Sequence, residues 1–250
     1  MTQNLDTAVI LAAGMGTRLK GHTQERPKGF LEIDGKSLID RSIRNLLDQG
    51  ISNIIIGTGY FHEHFDSLKS TYPGISTFRN KDFAVTGSMY TLYVIRHLVR
   101  GSFLLLESDL LYDPAALEFL LQDTRDDIIL ASGATNSGDE VFIQHSSVGF
   151  LQNMSKDRSV LKHINGELVG ISRLSLKALD NMASFASPYF NAGKRTMNYE
   201  DAMVGASINH NFFVKVVDDL AWCEIDDEHH LERAVAQVYP RILERSIKLK

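Results

Sequence analysis

Three short apolar runs constrain this chain more than any other feature: residues 8–11 (AVIL), 53–57 (NIIIG) and 103–106 (FLLL). They lack the alternating polarity of exposed strands, so they are expected to be parallel strands buried on both faces. Helical patterns separate them. Residues 37–49 close on Gly50 as a C-terminal cap, and residues 88–99 gather Met89, Leu92, Tyr93, Ile95 and Leu98 roughly on one face. This alternation specifies an α/β fold, a doubly wound mixed sheet that is mainly parallel. Another buried strand at 127–131 follows a helix at 114–122. Residues 141–173 change to short alternating strands with turns at Gly149 and Gly166, predicting antiparallel additions to the sheet or a small lid, an insertion around 133–170. Helices return at 175–186, 199–209 and 228–244. Residues 187–197, with Pro188, Gly193 and the Lys194/Arg195 pair, read as a mobile loop. No repeat or linker divides the 250 residues, so residues 1–250 are expected to form one domain.

Composition narrows the function. With 26 basic against 31 acidic side chains the net charge is −5, so nothing attracts a nucleic-acid backbone in general, and any phosphate must be caught locally. No run approaches the roughly 20 apolar residues of a membrane span, and the N-terminus lacks a signal-peptide layout. A cytoplasmic protein without membrane attachment is expected. The single cysteine, Cys223, excludes an internal disulfide and argues against a cysteine-built zinc site.

The first strand ends in Ala12-Ala13-Gly14-Met15-Gly16, at the carboxyl edge where open α/β sheets bind ligands. A tight glycine turn there exposes backbone N–H groups as an anion cradle. A dinucleotide fingerprint is disfavoured, because Leu19 stands where its third glycine belongs and Arg18 would crowd the pyrophosphate. The Lys-Ser/Thr ending of a P-loop is also missing. Glycines alone fit a structural strand-to-helix turn equally well. Arg18 followed ten residues later by Lys28 shifts the reading, since two cations of different reach suit a triphosphate.

These residues carry a resemblance. LAAGMGTRL, then PK, then GKSLID is similar to the nucleotidyltransferases acting on sugar phosphates and alcohol phosphates. PKGFLEI, NIIIGTGY, TGSMYTL, FLLLESDLLYD, ILASGATNSGDEV, GELVGISRLS and EIDDEHHLERA resemble the 2-aminoethylphosphonate cytidylyltransferases, relatives of the bacterial phosphocholine cytidylyltransferases. The resemblance spans about residues 7–240. It implies transfer of CMP from CTP to 2-aminoethylphosphonate with release of pyrophosphate, phosphocholine being the alternative acceptor. It implies Mg2+ held by Asp109 and Asp226, with Arg18 and Lys28 as catalytic cations and Lys28 also serving the phosphonate. From the residues alone, a helix N-cap is the favoured reading of Asp226, and the resemblance turns it to a ligand, leaving the cap to Asp227. Glu107 is either an outer partner of the metal ligands or a plain strand end.

Nucleotide contacts are expected from Leu11, Ala12, Ala13, Gly14, Gly16 and Thr17 and from the turn Thr86-Gly87-Ser88, where Thr86 or Ser88 also makes a good helix N-cap. The cytidine preference rests on the resemblance. For the substrate ammonium the candidates are Asp139, Glu140, Glu200 and Asp201. A quaternary ammonium would instead call for aromatic faces, offered by Tyr90, Tyr93, Tyr189 and Tyr199. Lys156 and Arg158 either add phosphonate contacts or form a basic surface turn. His229 and His230 diverge by about 100° on a helix, so a shared zinc ion is set aside for surface or partly packed side chains. A homodimer is compatible with this reading.

Overall fold

The computed structural model describes residues 5–19, 21 and 23–248. The first half of the chain runs β1 (Thr7–Ala12), β2 (Glu32–Ile33), β3 (Lys36–Ser37), α1 (Leu38–Asp48), β4 (Asn53–Thr58), α2 (His62–Ser67), β5 (Ile75–Arg79), α3 (Ser88–Ile95), β6 (Phe103–Glu107), β7 (Leu110–Tyr112) and α4 (Ala115–Leu121). The second half runs β8 (Ile128–Ser132), β9 (Phe142–His145), β10 (Leu151–Ser155), β11 (Gly166–Leu174), α5 (Leu176–Asn191), α6 (Tyr199–Ala206), β12 (Phe213–Val217), β13 (Trp222–Glu224), α7 (Glu228–Arg233) and α8 (Tyr239–Lys248). A π-helical turn, Ala234–Val238, joins the last two helices.

A nine-stranded sheet organises these elements. β5, β4, β1 and β6 lie side by side in parallel, with Ile10 of β1 opposite both Ile56 and Leu106. β11 runs antiparallel beside β6 and then divides its pairing between β8, which carries β12 in parallel, and β9, which carries β10. The sheet is therefore doubly wound, mixed and mainly parallel. Residues 141–173 take the first of their two expected forms, antiparallel strands built into this sheet.

The uniform apolarity of β1 follows from its position. Successive side chains point to opposite faces, and both faces are covered. Val9 and Leu11 join Met89, Leu92, Phe103 and Met203 in one core layer, while Ala8, Ile10 and Ala12 join Ile39, Ile43, Phe65 and Leu117 in the other. A smaller cluster of Leu19, Leu31, Leu111, Cys223 and Ile225 packs beneath the C-terminal helices. Among the described residues no helix is long and apolar enough to cross a membrane.

Five local expectations need correction. The fifth helix does not stop near residue 186 but continues through Pro188 to Asn191. Proline costs about 3 kcal/mol inside a helix, and burial of Ala186 and of Phe190 against the Tyr90 and Tyr93 rings offsets it. The third helix changes to a 3-10 turn after Ile95, and the sixth ends at Ala206. Neither Thr86 nor Ser88 caps α3, because Gly87 occupies the cap position. Nor is the remainder of the expected mobile loop free. Gly87 N–H donates to the Arg195 carbonyl (2.8 Å), Met89 N–H to the Met197 carbonyl (3.2 Å), and Tyr199 N–H to Ser88 Oγ (2.9 Å).

A side chain at Gly87 would drive into the carbonyl oxygens of Thr196 and Met197, whereas space around Gly14 is open. Gly87→Ala is expected to destabilise the protein by about 1–3 kcal/mol through this overpacking, read by urea denaturation, with Gly14→Ala within about 0.5 kcal/mol of the parent.

Candidate functional site

The crevice opens where β1 and β6 end. After Ala12 the chain turns through residues 13–16, and Thr23 Oγ1 donates to the carbonyls of Gly16 and Leu19 at 3.0 Å each, holding the far side of the turn. Gly16 has φ +62°, and a Cβ there would stand 2.7 Å from Lys28 Cγ. The glycine thus provides both the left-handed backbone and the channel through which the lysine stem passes.

Acidic groups arrive on two strands. β6 ends in Glu107-Ser108-Asp109, and β13 ends in Glu224-Ile225-Asp226. β7 and β13 pair antiparallel, with Glu224 opposite Leu110, and Ile225 N–H donates to the Asp109 carbonyl at 3.0 Å. Asp109 lies in the turn that joins β6 to β7, and this pairing of β7 with β13 brings the two Glu-x-Asp segments together. One carboxylate oxygen from each of Glu107, Asp109 and Glu224 lies within 4.8 Å of the others. Asp226 is 3% exposed and adjoins this trio through a shared cation. Lys28 Nζ donates to Asp109 Oδ2 at 3.2 Å and also contacts Asp226 Oδ1.

The ion pairs continue outward. Arg18 donates to Asp226 Oδ2 at 2.6 Å and to Asp139 Oδ2 at 2.8 Å, and Lys156 donates to Asp139 Oδ1 at 2.7 Å. Burial pulls the Lys28 ammonium down, but Asp109 and Asp226 outweigh it and its pKa is raised. Burial likewise pushes Asp139 up, and hydrogen bonds from Lys156 and Arg18 reverse this to well below the usual carboxylate range. Burial, then the charges of Asp109 and Glu200, push Glu107 up to about 8. Glu224 is raised well above its ordinary value by burial and by Glu107 and Asp109. Burial also brings Glu200 up to about 7, Asp201 adding to the shift and Lys156 opposing it.

The crevice encloses about 350 Å³. Of the expected nucleotide contacts, Leu11 to Gly14, Gly16 and the turn Thr86-Gly87-Ser88 line it, as do Arg18, Lys28, Asp109, Glu200 and Asp226. Thr17 is exposed outside its lining. Asp139 and Glu140 belong to an adjoining recess of about 70 Å³, which shares Glu107, Lys156, Glu200 and Glu224 with the crevice.

Against this geometry stand the known proteins. Residues 8–171 match the MobA-like NTP transferase domain. The chain belongs to this family. A choline-phosphate cytidylyltransferase of Streptococcus pneumoniae is 28% identical over 220 residues, 88% of this chain and 92% of that protein. A 2-aminoethylphosphonate cytidylyltransferase of Lancefieldella rimae is 30% identical over 104 residues, 41% of this chain and 42% of that protein. In fold, the inositol-1-phosphate CTP transferase from T. maritima superposes with a TM-score of 0.79 at 20% identity, covering 96% of this chain and 97% of the other.

In this NTP transferase several expected site residues have other occupations. Asp201 accepts from Asn198 N–H at 3.0 Å in a capping box, so its carboxylate serves the start of α6. Tyr90 and Tyr93 pack on Phe190, Tyr189 packs on Phe185, and Tyr199 is buried, so the four tyrosines build no aromatic cage in the crevice. The Arg158 guanidinium lies over the Phe142 ring at 4.9 Å, while Lys156 does reach the site. His230 is neither superficial nor loosely packed, being 4% exposed and hydrogen-bonded on both ring nitrogens. Asp227 caps α7, accepting from His230 N–H at 2.9 Å.

Glu224 lies in the crevice beyond the residues expected there, and Glu107, a residue with two readings, stands beside it. A repeated signal marks both: Glu-x-Asp occurs at the end of each of two apolar strand patterns.

The raised carboxyls of the NTP transferase link stability to pH. Between its ordinary pKa of 4.5 and its raised value, such a group holds in the folded state a proton that the unfolded chain has released, so stability falls as pH rises. The metal-free protein is expected to lose thermal stability as pH rises from about 4.5 to about 8, and Glu107→Gln should flatten the decline. Calorimetry across this range provides the check. A divalent cation, favouring ionised carboxylates, should raise Tm more above this range than below it.

Proposed function

We propose that the chain is a magnesium-dependent cytidylyltransferase that transfers CMP from CTP to 2-aminoethylphosphonate and releases pyrophosphate. The acidic recess carries the choice of acceptor. It is small, lies beside the nucleotide crevice, and offers Glu107, Glu140, Glu200 and Glu224 to a primary ammonium that donates hydrogen bonds. The cytidylyltransferase relatives support CTP as donor.

In this reading a phosphonate oxygen attacks the α-phosphorus of CTP. The new P–O bond forms as the bond to the β-phosphate oxygen breaks, so no side-chain nucleophile is required. The glycine turn after β1, whose residues 12–14 and 16 line the crevice, would offer backbone N–H groups to the phosphates, and Arg18 and Lys28 would counter charge on the transferring and leaving groups. Asp109 and Asp226, supported by Glu107 and Glu224, present the hard oxygen donors magnesium prefers and would hold it. Bound there, the ion neutralises phosphate charge. Lys28 and Arg18, paired with carboxylates in the free protein, exchange those partners for phosphate oxygens.

Trp222 favours a second reading. It also lines the recess, and an indole face suits a quaternary ammonium, making phosphocholine the rival acceptor. Pyrophosphate release with CTP and each acceptor decides between them. A kcat/KM about tenfold or more higher for 2-aminoethylphosphonate is expected, equivalent to at least roughly 1.4 kcal/mol of transition-state discrimination. The reverse ranking transfers the assignment to phosphocholine, and no product from either acceptor removes it. Asp109→Asn should lower kcat about a hundredfold or more with an unchanged circular dichroism spectrum; near-normal turnover would remove Asp109 from the site.

Glu200 provides a pH test. Its pKa of about 7 makes it a better ammonium partner as pH rises through neutrality. KM for 2-aminoethylphosphonate is expected to fall through this interval, and Glu200→Gln should raise that KM at the alkaline end and reduce the pH dependence. KM for CTP should hold steady in both proteins.

A further inference from the structure

His230 occupies a place that the transfer reaction does not itself require. Its Nδ1 lies 3.3 Å from the backbone nitrogen of Asp226, and its Nε2 lies 3.1 Å from the Ser137 carbonyl oxygen. A backbone N–H only donates and a carbonyl only accepts, so these partners fix a neutral ring with its proton on Nε2. The histidine backbone is itself held by the Asp227 cap in the first turn of α7. Its ring therefore ties the strand end carrying Asp226 to the loop carrying Asp139. Arg18 also joins these two aspartates, at 2.6 Å to Asp226 and 2.8 Å to Asp139. The connections close on themselves, from Arg18 through Asp226, His230, Ser137 and Asp139 back to Arg18. Arg233, one turn further along, donates to the Thr135 carbonyl at 3.4 Å and steadies the same loop.

We infer that His230 is a positioning residue that fixes the separation of Asp226 and the Asp139 loop across Arg18, coupling the metal side of the crevice to the acceptor recess. The inference rests on the proposed reading of Asp226 as a metal ligand. Each ring nitrogen has its own task. The Nδ1 contact orients the Asp226 backbone and so its carboxylate, while the Nε2 contact holds the wall of the recess.

Two substitutions separate the tasks. In His230→Asn the side-chain oxygen replaces Nδ1 as acceptor from Asp226 N–H, and the reach to Ser137 is lost. In His230→Gln the terminal NH2 replaces Nε2 as donor to Ser137, and the acceptor near Asp226 is lost. With the purified full chain, Mn2+ binding measured by titration calorimetry should weaken about tenfold in His230→Gln, with kcat reduced and the acceptor KM kept. His230→Asn should retain Mn2+ affinity within about twofold and raise the acceptor KM about tenfold. Equal effects of the two variants on Mn2+ affinity and acceptor KM, including no effect in either, would overturn the positioning role, even if both lower Tm. Asp226→Asn measured alongside distinguishes the failures. Lost Mn2+ binding in that variant leaves the metal reading standing, whereas unchanged binding overturns the metal reading and the inference built on it.

Discussion

Crowding of like charge governs the crevice. Glu107, Asp109, Glu224 and Asp226 converge from two strand ends into a space where burial and neighbouring carboxylates push Glu107 up to about 8 and raise Glu224 well above its ordinary value. Such a cluster is tolerable only with cations placed against it. Lys28 meets that need between Asp109 and Asp226, and Arg18 meets it on the outer oxygen of Asp226. The free protein thus carries internally the positive charge that, in the proposed function, a metal ion and a polyphosphate would rearrange on binding. Strain from repulsion is confined to strand ends locked by the sheet and by the pairing of β7 with β13, elements that resist relaxing away from one another.

The backbone makes room for the same groups. Gly16 and Gly170 both adopt positive φ, and each lies against a charged side chain of the crevice. A Cβ on Gly16 would meet the Lys28 stem, and one on Gly170 would lie 2.7 Å from Glu107 Oε2. Gly170 also sits where the register of β11 against β8 shifts, between Leu168 and Ser172. A bulge beside a site re-aims neighbouring side chains, and here it leaves the Glu107 carboxylate its volume within an otherwise continuous sheet.

How far the sequence discloses such a site depends on whether the signal is local. β1, β4, β6 and β8 are legible because a strand buried on both faces must be apolar throughout. The glycine turn and Arg18 are legible for a related reason, since their chemistry lies within one short stretch. Pro188 misleads because a local breaker is overridden by packing at Phe190, which sits far away in sequence from its partners Tyr90 and Tyr93. Residues 195–197 look unattached because their hydrogen bonds go to Gly87 and Met89, more than a hundred positions earlier. Glu224 is obscure for another reason: one carboxylate at a strand end is ordinary, and only its convergence with Glu107 and Asp109 gives it meaning. His230 is harder still, because its importance comes from an amide and a carbonyl that any sequence would supply.

These long-range ties bear on how two ligands are handled together. The turn Thr86-Gly87-Ser88 lines the crevice, and its bonds to residues 195–199 lead directly into the helix that carries Glu200. On the opposite flank, Arg18 and His230 join Asp226 to the loop bearing Asp139. The crevice and the recess, proposed here for nucleotide and acceptor, therefore share supports on both flanks, with Glu107 and Glu224 common to their linings. A ligand that repartners Lys28 or Arg18 changes the charge felt at the recess as well as at the crevice. Because that coupling acts through charge and through fixed hydrogen bonds, it requires no separate domain to move. It requires only that the two strand ends keep their spacing while the cations between them change partners.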